Sequence, residues 1–172
     1  MIERLLQDCL DGKKLDRDEA LLLSFAQREE LSALLDAAET IRDRYKGRVI
    51  TFSPKVFLPL TNLCRDFCGY CTFRHAPDEP DARTMTPEDV LGVARRGRLR
   101  GCTEALFSLG DKPEALYPEM RSWLERSGYS RTLEYLYDVS AMVLKETGLL
   151  PHSNPGLMGK RDLARLKEVN VS

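Results

Sequence analysis

Cys64-Arg65-Asp66-Phe67-Cys68-Gly69-Tyr70-Cys71-Thr72-Phe73 places three cysteines within eight residues, spaced C-x₃-C-x₂-C. The run before it, Val56-Phe57-Leu58-Pro59-Leu60, is apolar and reads as a strand. A loop leaving the end of a strand can wrap three thiolates around one inorganic centre. A 4Fe-4S cube usually takes four thiolates, so three neighbouring cysteines leave one iron without a protein ligand. An open iron is a position that a substrate or cosubstrate can chelate. The same stretch supports a second reading. Cys64, Cys68 and Cys71 with His75 spell C-x₃-C-x₂-C-x₃-H, a Cys₃His zinc set. Such zinc knuckles usually sit in small, loop-rich modules, whereas this loop follows a buried-strand pattern. A third reading, cysteines as small buried hydrophobes, suits three in eight positions poorly.

The 172 residues, 42% of them hydrophobic, are enough for one sizeable core. With 26 basic and 27 acidic residues the net charge is −1, so no bulk field recruits nucleic acid or an anionic membrane. No apolar run approaches the ~18–20 residues of a membrane span. Met1-Ile2-Glu3-Arg4 leads directly into a helical pattern without a signal peptide, and a cytoplasmic location is expected. Five cysteines, three of them clustered, fit a reducing compartment; Cys9 and Cys102 read as structural thiols.

Residues 1–48 are expected to form a helical N-terminal segment, with Leu31, Leu34, Leu35, Ala38 and Ile41 as one apolar face closed by Gly47. Residues 49–172 alternate strands with helices. Val56–Leu60 is the first strand. Thr86-Pro87-Glu88-Asp89 marks a helix start, with Thr86 as N-cap and Asp89 reaching back. Glu104–Leu109 is a second strand, ending in the polar turn Gly110-Asp111-Lys112-Pro113-Glu114. Two helices fill 115–147, the second with Leu133, Leu136, Tyr137, Ser140, Val143 and Leu144 on one side and Gly148 at its end. Leu149–Gly156 holds a third strand, on which His152 and Asn154 face the same way. A third helix of this unit spans 159–168, and Val169-Asn170-Val171-Ser172 begins a fourth strand. This order predicts an α/β fold, the N-terminal portion of a partial parallel (β/α) barrel cut at its fourth strand. In such a barrel the turn at Gly110 and the exit at Asn154 reach the same rim as the cysteines.

The string from Lys55 to Arg74, with Tyr70 just before the last cysteine, resembles the radical S-adenosylmethionine (SAM) signature, and in particular that of deazaflavin (FO) synthases. The resemblance runs from about Leu31 to the last residue, and it is to the subunit, or the N-terminal half of a fused enzyme, that closes the deazaflavin ring. It implies Cys64, Cys68 and Cys71 as ligands of one 4Fe-4S cluster whose open iron takes the amino and carboxylate groups of SAM. Reduction of SAM then yields the 5′-deoxyadenosyl radical. The implied substrate is the 5-amino-5-(4-hydroxybenzyl)-6-(D-ribitylimino)-5,6-dihydrouracil adduct made by a companion subunit or fused second half, and ammonia is released on ring closure. A ferredoxin or flavodoxin is the implied electron donor. Tyr70 and Phe73 would pack near the adenine, and Gly110 and Asp111 would meet the methionyl amine. His152 and Asn154 would contact cosubstrate or substrate. Ser108-Leu109-Gly110-Asp111 departs from the family's Gly-Gly-Glu wording at that turn. Two other readings remain open: another radical SAM reaction, such as the companion coupling step or a menaquinone-pathway relative, and a non-catalytic zinc-binding module.

Overall fold

The computed structural model describes residues 1–170. The chain divides into two units, Met1–Phe52 and the segment from Ser53 onward.

The first unit is helical: α1 (Ile2–Leu10), α2 (Arg17–Ser24) and α3 (Arg28–Lys46). A capping box starts α2, because Glu19 N–H donates to Asp16 Oδ1 (2.8 Å) and Asp16 N–H donates to Glu19 Oε2 (3.1 Å). Ile2, Leu6 and Ala37 form its small core. The expected five-residue face on α3 needs correction. Ala37 is the buried residue, flanked by half-buried Leu34 and Ile41, while Leu31, Leu35 and Ala38 are exposed. The short helix α1 covers only a narrow stripe with steps of three and four residues, not the broad arc that the leucines suggest.

The second unit runs β1 (Lys55–Thr61), α4 (Pro87–Leu99), β2 (Glu104–Leu109), α5 (Pro118–Arg126), α6 (Thr132–Thr147), β3 (Leu150–Asn154) and α7 (Lys160–Leu166). The three strands form one parallel sheet in the order β1-β2-β3. Alternation sends Leu58, Ala105 and Phe107 into the helix-covered core with Val90, Ala94, Leu136, Val139 and Val143. Full burial of each such large side chain contributes about 1.5–3 kcal/mol. Pro59 lacks a donor, and among the described residues β1 has a strand neighbour on one side only, with a single bridge from Thr61 to Thr84 beyond the proline, so Pro59 holds the edge position where proline is tolerated. A register shift follows between Pro59 and Thr61.

The expected α4 start is present. Thr86 Oγ1 accepts from Asp89 N–H (3.2 Å), and Asp89 accepts from Thr86 N–H (3.0 Å), which holds the Asp89 carboxyl below its usual range. Near its end α4 presses on β1 at Gly97, where a Cβ would stand 2.5–2.8 Å from the Val56 side chain. On α6 the buried arc is wider than expected. It includes Tyr135 and Val139, while Tyr137 lies half-exposed under Arg165, whose guanidinium carbon is 4.4 Å from its ring centre. The reason is that α6 packs against α4 and β3 at once, and Tyr135 also meets Trp123 of α5. Gly148 closes α6 in the left-handed conformation (φ +67°). The expected fourth strand falls partly on residues 171–172, outside those described. Its first two residues are described and are not strand: Val169 lies in a turn and packs against the core, and Asn170 Oδ1 lies 3.0 Å from Ser153 Oγ.

Candidate functional site at the strand exits

Parallel strands deliver their C-terminal ends to one rim, so the exits of β1, β2 and β3 are neighbours. The β1 exit is the cysteine loop, and its base is pinned before the first cysteine. Asn62, 4% exposed, accepts the His75 N–H at its carbonyl (2.9 Å) and the Arg83 N–H at Oδ1 (2.8 Å). Its Nδ2 donates to the Asp81 carbonyl (2.7 Å), so both ends of this buried amide are satisfied. Beside it the Thr61 and Thr84 hydroxyls meet at 2.8 Å. The excursion from Leu63 to Ala82 is therefore closed at its neck by backbone and side-chain bonds together.

The β2 exit packs directly on the first cysteine. Gly110 N–H donates to the Thr61 carbonyl (3.0 Å), and a Cβ on Gly110 would stand 2.6 Å from Cys64 Cβ. Cys64 Sγ accepts from Asp111 N–H (3.2 Å) and from Asp66 N–H (3.4 Å). Two backbone donors on one sulfur suit a thiolate that carries negative charge, such as a cluster ligand. Cys68 and Cys71 lie exposed further along the loop, joined by a turn in which Cys71 N–H donates to the Cys68 carbonyl (3.1 Å). Among the described residues no three Cys, His, Asp or Glu side chains stand together as a metal group. All five cysteines are free thiols. The chemistry of the loop thus fits an iron–sulfur centre: three thiols within eight residues, the first held by N–H donors. His75 is tied differently, with Nδ1 2.8 Å from Glu79 Oε2, an ion-pair distance without hydrogen-bond alignment.

The other expected site residues divide between rim and sheet. Phe73 meets Phe57 edge-on, with ring centres 6.5 Å apart, so the loop folds back over the sheet face opposite the helices. Tyr70 is 90% exposed at the loop tip. Asp111 is buried, and its carboxylate is held by Arg65, Lys112 and the Leu157 N–H. Asn154 is exposed at the β3 exit, paired in register with Ser108. His152 sits one step lower on the same face, with Nδ1 3.0 Å from Lys55 Nζ and 3.4 Å from Glu104 Oε2. The Glu104 carboxyl is held below its usual range chiefly by the bond from Lys55 Nζ (2.6 Å), then by the Ser53 hydroxyl.

Sequence reasoning passed over Arg65, Asn62 and the Arg74–Tyr117 pair. The Arg74 guanidinium covers the Phe67 ring (3.9 Å to its centre) and donates to the Tyr117 hydroxyl (2.7 Å). This braces the segment between the first two cysteines.

Residues 58–172 match the Radical SAM superfamily. Over 99% of the chain the sequence is 48% identical to FO synthase of Nocardia farcinica and 47% identical to FO synthase of Streptomyces coelicolor, spanning 21% of each. It is 44% identical, over 72% of the chain, to the 7,8-didemethyl-8-hydroxy-5-deazariboflavin synthase of Methanopyrus kandleri, of which it spans 37%. The chain thus covers about one fifth of the length of the bacterial relatives. Its fold is shared with methylornithine synthase (PylB), at a TM-score of 0.69 over 96% of this chain and 44% of that one. It is shared also with the hydrogenase maturase HydG from Carboxydothermus hydrogenoformans, at 0.72 over 98% and 36%. Identity is 22% in both cases, and the likeness speaks for the fold alone. A parallel sheet with its cysteine loop at the first strand exit, and a family match that begins inside that strand, lead to one conclusion: the chain belongs to the radical SAM superfamily, whose cofactors are a 4Fe-4S cluster and S-adenosylmethionine.

Proposed function

We propose that this chain is part of an enzyme that closes the deazaflavin ring of FO, the chromophore of coenzyme F-420, in the cytoplasm. The substrate is the tyrosine-derived 4-hydroxybenzyl adduct of 5-amino-6-ribitylaminouracil, and ammonia leaves on ring closure. The supporting observation is the similarity to FO synthases, which extends over 99% of the chain and not over the cysteine loop alone. Cys64, Cys68 and Cys71 hold the cluster, which when bound supplies one electron to the sulfonium of SAM.

The other roles belong to the chain's own groups. Gly110 lets the β2 exit approach Cys64 and meets the methionyl amine; the Asp111 carboxylate, held by three other groups, acts there only indirectly. Phe73, already against Phe57, packs toward the adenine with Tyr70. Asn154 and His152 present polar groups to cosubstrate or substrate from the face that Phe73 covers. Apolar Phe57, Leu106 and Pro59 on that face exclude water where a carbon radical must survive. A companion half supplies the adduct, and a ferredoxin or flavodoxin supplies the electron.

The test is product analysis on the full-length protein, reconstituted anaerobically and given adduct, SAM and reductant. Deazaflavin fluorescence with equimolar ammonia is expected. SAM cleavage without either product would overturn the assignment and point to another radical SAM reaction, such as the coupling step.

A further inference from the structure

One side chain joins all three strand exits, and the roles given above leave its carboxylate no direct contact with cosubstrate. Asp111 is 6% exposed. Its Oδ2 accepts from Arg65 Nε (2.7 Å) and lies 2.6 Å from Arg65 Nη2 in an ion pair; its Oδ1 accepts from Lys112 Nζ and the Leu157 N–H, each at 3.2 Å. Its main chain is engaged as well. The Asp111 N–H donates to Cys64 Sγ, and its carbonyl accepts the Arg65 N–H, again at 3.2 Å. Lys112 Nζ also donates to the Leu157 carbonyl. Gly156 makes room for the arrangement, since a Cβ there would stand 2.7 Å from Asp111 Oδ1.

Two cations, Arg65 and Lys112, hold the one buried carboxylate, Asp111, and exposed Asp66 stands 3.9 Å from Arg65 where solvent screens it more. Net charge and hydrogen bonds to the sulfurs are two of the levers on the potential of an iron–sulfur centre, and this hub bears on both. We propose that Asp111 is a positioning residue, which fixes the Cys64 sulfur and, with Arg65 and Lys112, sets the reduction potential of the cluster. This rests on the cluster reading of the three cysteines.

The experiment is a spectroelectrochemical titration of the anaerobically reconstituted full-length protein, without SAM. Asp111→Asn removes the negative charge, leaves two cations, favours the reduced cluster and should raise the midpoint potential. Arg65→Gln removes a cation and should lower it. Lys112→Gln, a milder change at a half-exposed side chain, should lower it too. The double variant Asp111→Asn/Arg65→Gln restores the net charge of the wild-type cluster of side chains, so its potential should return toward that of the wild type although the latch is broken. The latch has its own readout. In unloaded protein the Leu157 amide should exchange faster in Asp111→Ala, and Asp111→Asn should lose its cluster to a chelator about tenfold faster, the lower end of what outer partners of metal ligands command. Unshifted potentials, or shifts of one sign in both single variants, with only the melting temperature reduced, would overturn the proposal. A wild-type protein that takes up no iron would instead sink the cluster reading and this inference together.

Discussion

Gly110→Ala is the smallest change that reaches the site, and its effect can be worked from packing alone. The added Cβ would lie 2.6 Å from Cys64 Cβ and 2.7 Å from Cys64 Cα, with the Leu63 carbonyl oxygen nearer still. Ordinary contact begins at 3.4 Å, so Cys64 must withdraw by the difference, about 0.8 Å, and Leu63 by more. None of these atoms ends a flexible side chain, and Asn62 and Thr61 pin the neck of the loop behind them. The backbone of Gly110 is not in the left-handed region, so sterics and not conformation carry the effect. Overpacking of this kind costs about 1–3 kcal/mol or more. A displacement near 1 Å at a reacting group can reduce rate about 100-fold. The control is Gly148→Ala. That glycine has φ +67° with open space around it, so alanine there costs about 1 kcal/mol of stability and leaves the rim untouched. Iron content, deazaflavin turnover and melting temperature should be measured for both variants. Both should melt lower, and only Gly110→Ala should lose turnover. Wild-type turnover in Gly110→Ala would refute the packing argument.

Three further outcomes are expected. Alanine at Cys64, Cys68 or Cys71 should each abolish the reconstituted cluster, whereas alanine at Cys9 or Cys102 should leave iron and sulfide content unchanged; loss of iron in Cys102→Ala would unseat the ligand assignment. His75→Ala should keep about four irons per chain, and stoichiometric zinc that disappears on this substitution would revive the Cys₃His set. Tyr135→Phe removes a buried bond from the hydroxyl to the Met85 carbonyl (2.7 Å), at a cost of about 1–3 kcal/mol. Burial raises the Tyr135 phenol above its usual value, so its contribution is complete below pH ~10 and is lost as pH rises through the folded value. Denaturant melts at neutral and strongly alkaline pH should therefore show the gap between wild type and Tyr135→Phe narrowing; a constant gap would contradict the linkage.

What was legible in the sequence had a local signature. Glu104–Leu109 alternates between half-buried and buried positions, and the strand has the expected bounds. Thr86, Pro87 and Asp89 interact across three residues, so the start of α4 is encoded where it occurs. Gly148 stops α6 for a reason held in one residue. The unread features depend on partners far along the chain. Arg65 reads as one more charged loop residue until the exit of β2, 46 positions later, brings Asp111 to it. Arg74 and Tyr117 are 43 positions apart. The buried arc of α6 was misjudged because periodicity finds one face, while tertiary packing covers this helix from more than one direction. Asn62 did carry a signal, a polar residue directly after an apolar strand, but only its three bonds show what that polarity does.

The sheet face away from the helices is graded from base to rim, and the gradient restricts where polar parts of a ligand can sit. At the base, Lys55 and Glu104 are paired, with His152 Nδ1 within reach of both. Because the Glu104 carboxyl is held ionised by Lys55 and Ser53, this group is internally compensated and projects little field along the sheet. The next layer is Phe57 and Leu106 with the ring of His152, and Phe73 from the cysteine loop lies against Phe57. The layer nearest the rim is Pro59, Ser108 and Asn154, small and polar on two of three strands. A ligand with an apolar ring and a polar chain therefore finds its ring contacts in the middle layer and its hydrogen bonds at the rim. The rim is also where Gly110 and Cys64 meet. By register Asn154, Ser108 and Pro59 stand opposite one another, so the polar layer of this sheet face is the one next to the cysteine loop. A shift of one residue in β3 would send Asn154 to the helix-covered face and leave Ser153 in its place. Asn154→Leu keeps the register and removes only the amide, so it isolates the rim's hydrogen bonding from its shape.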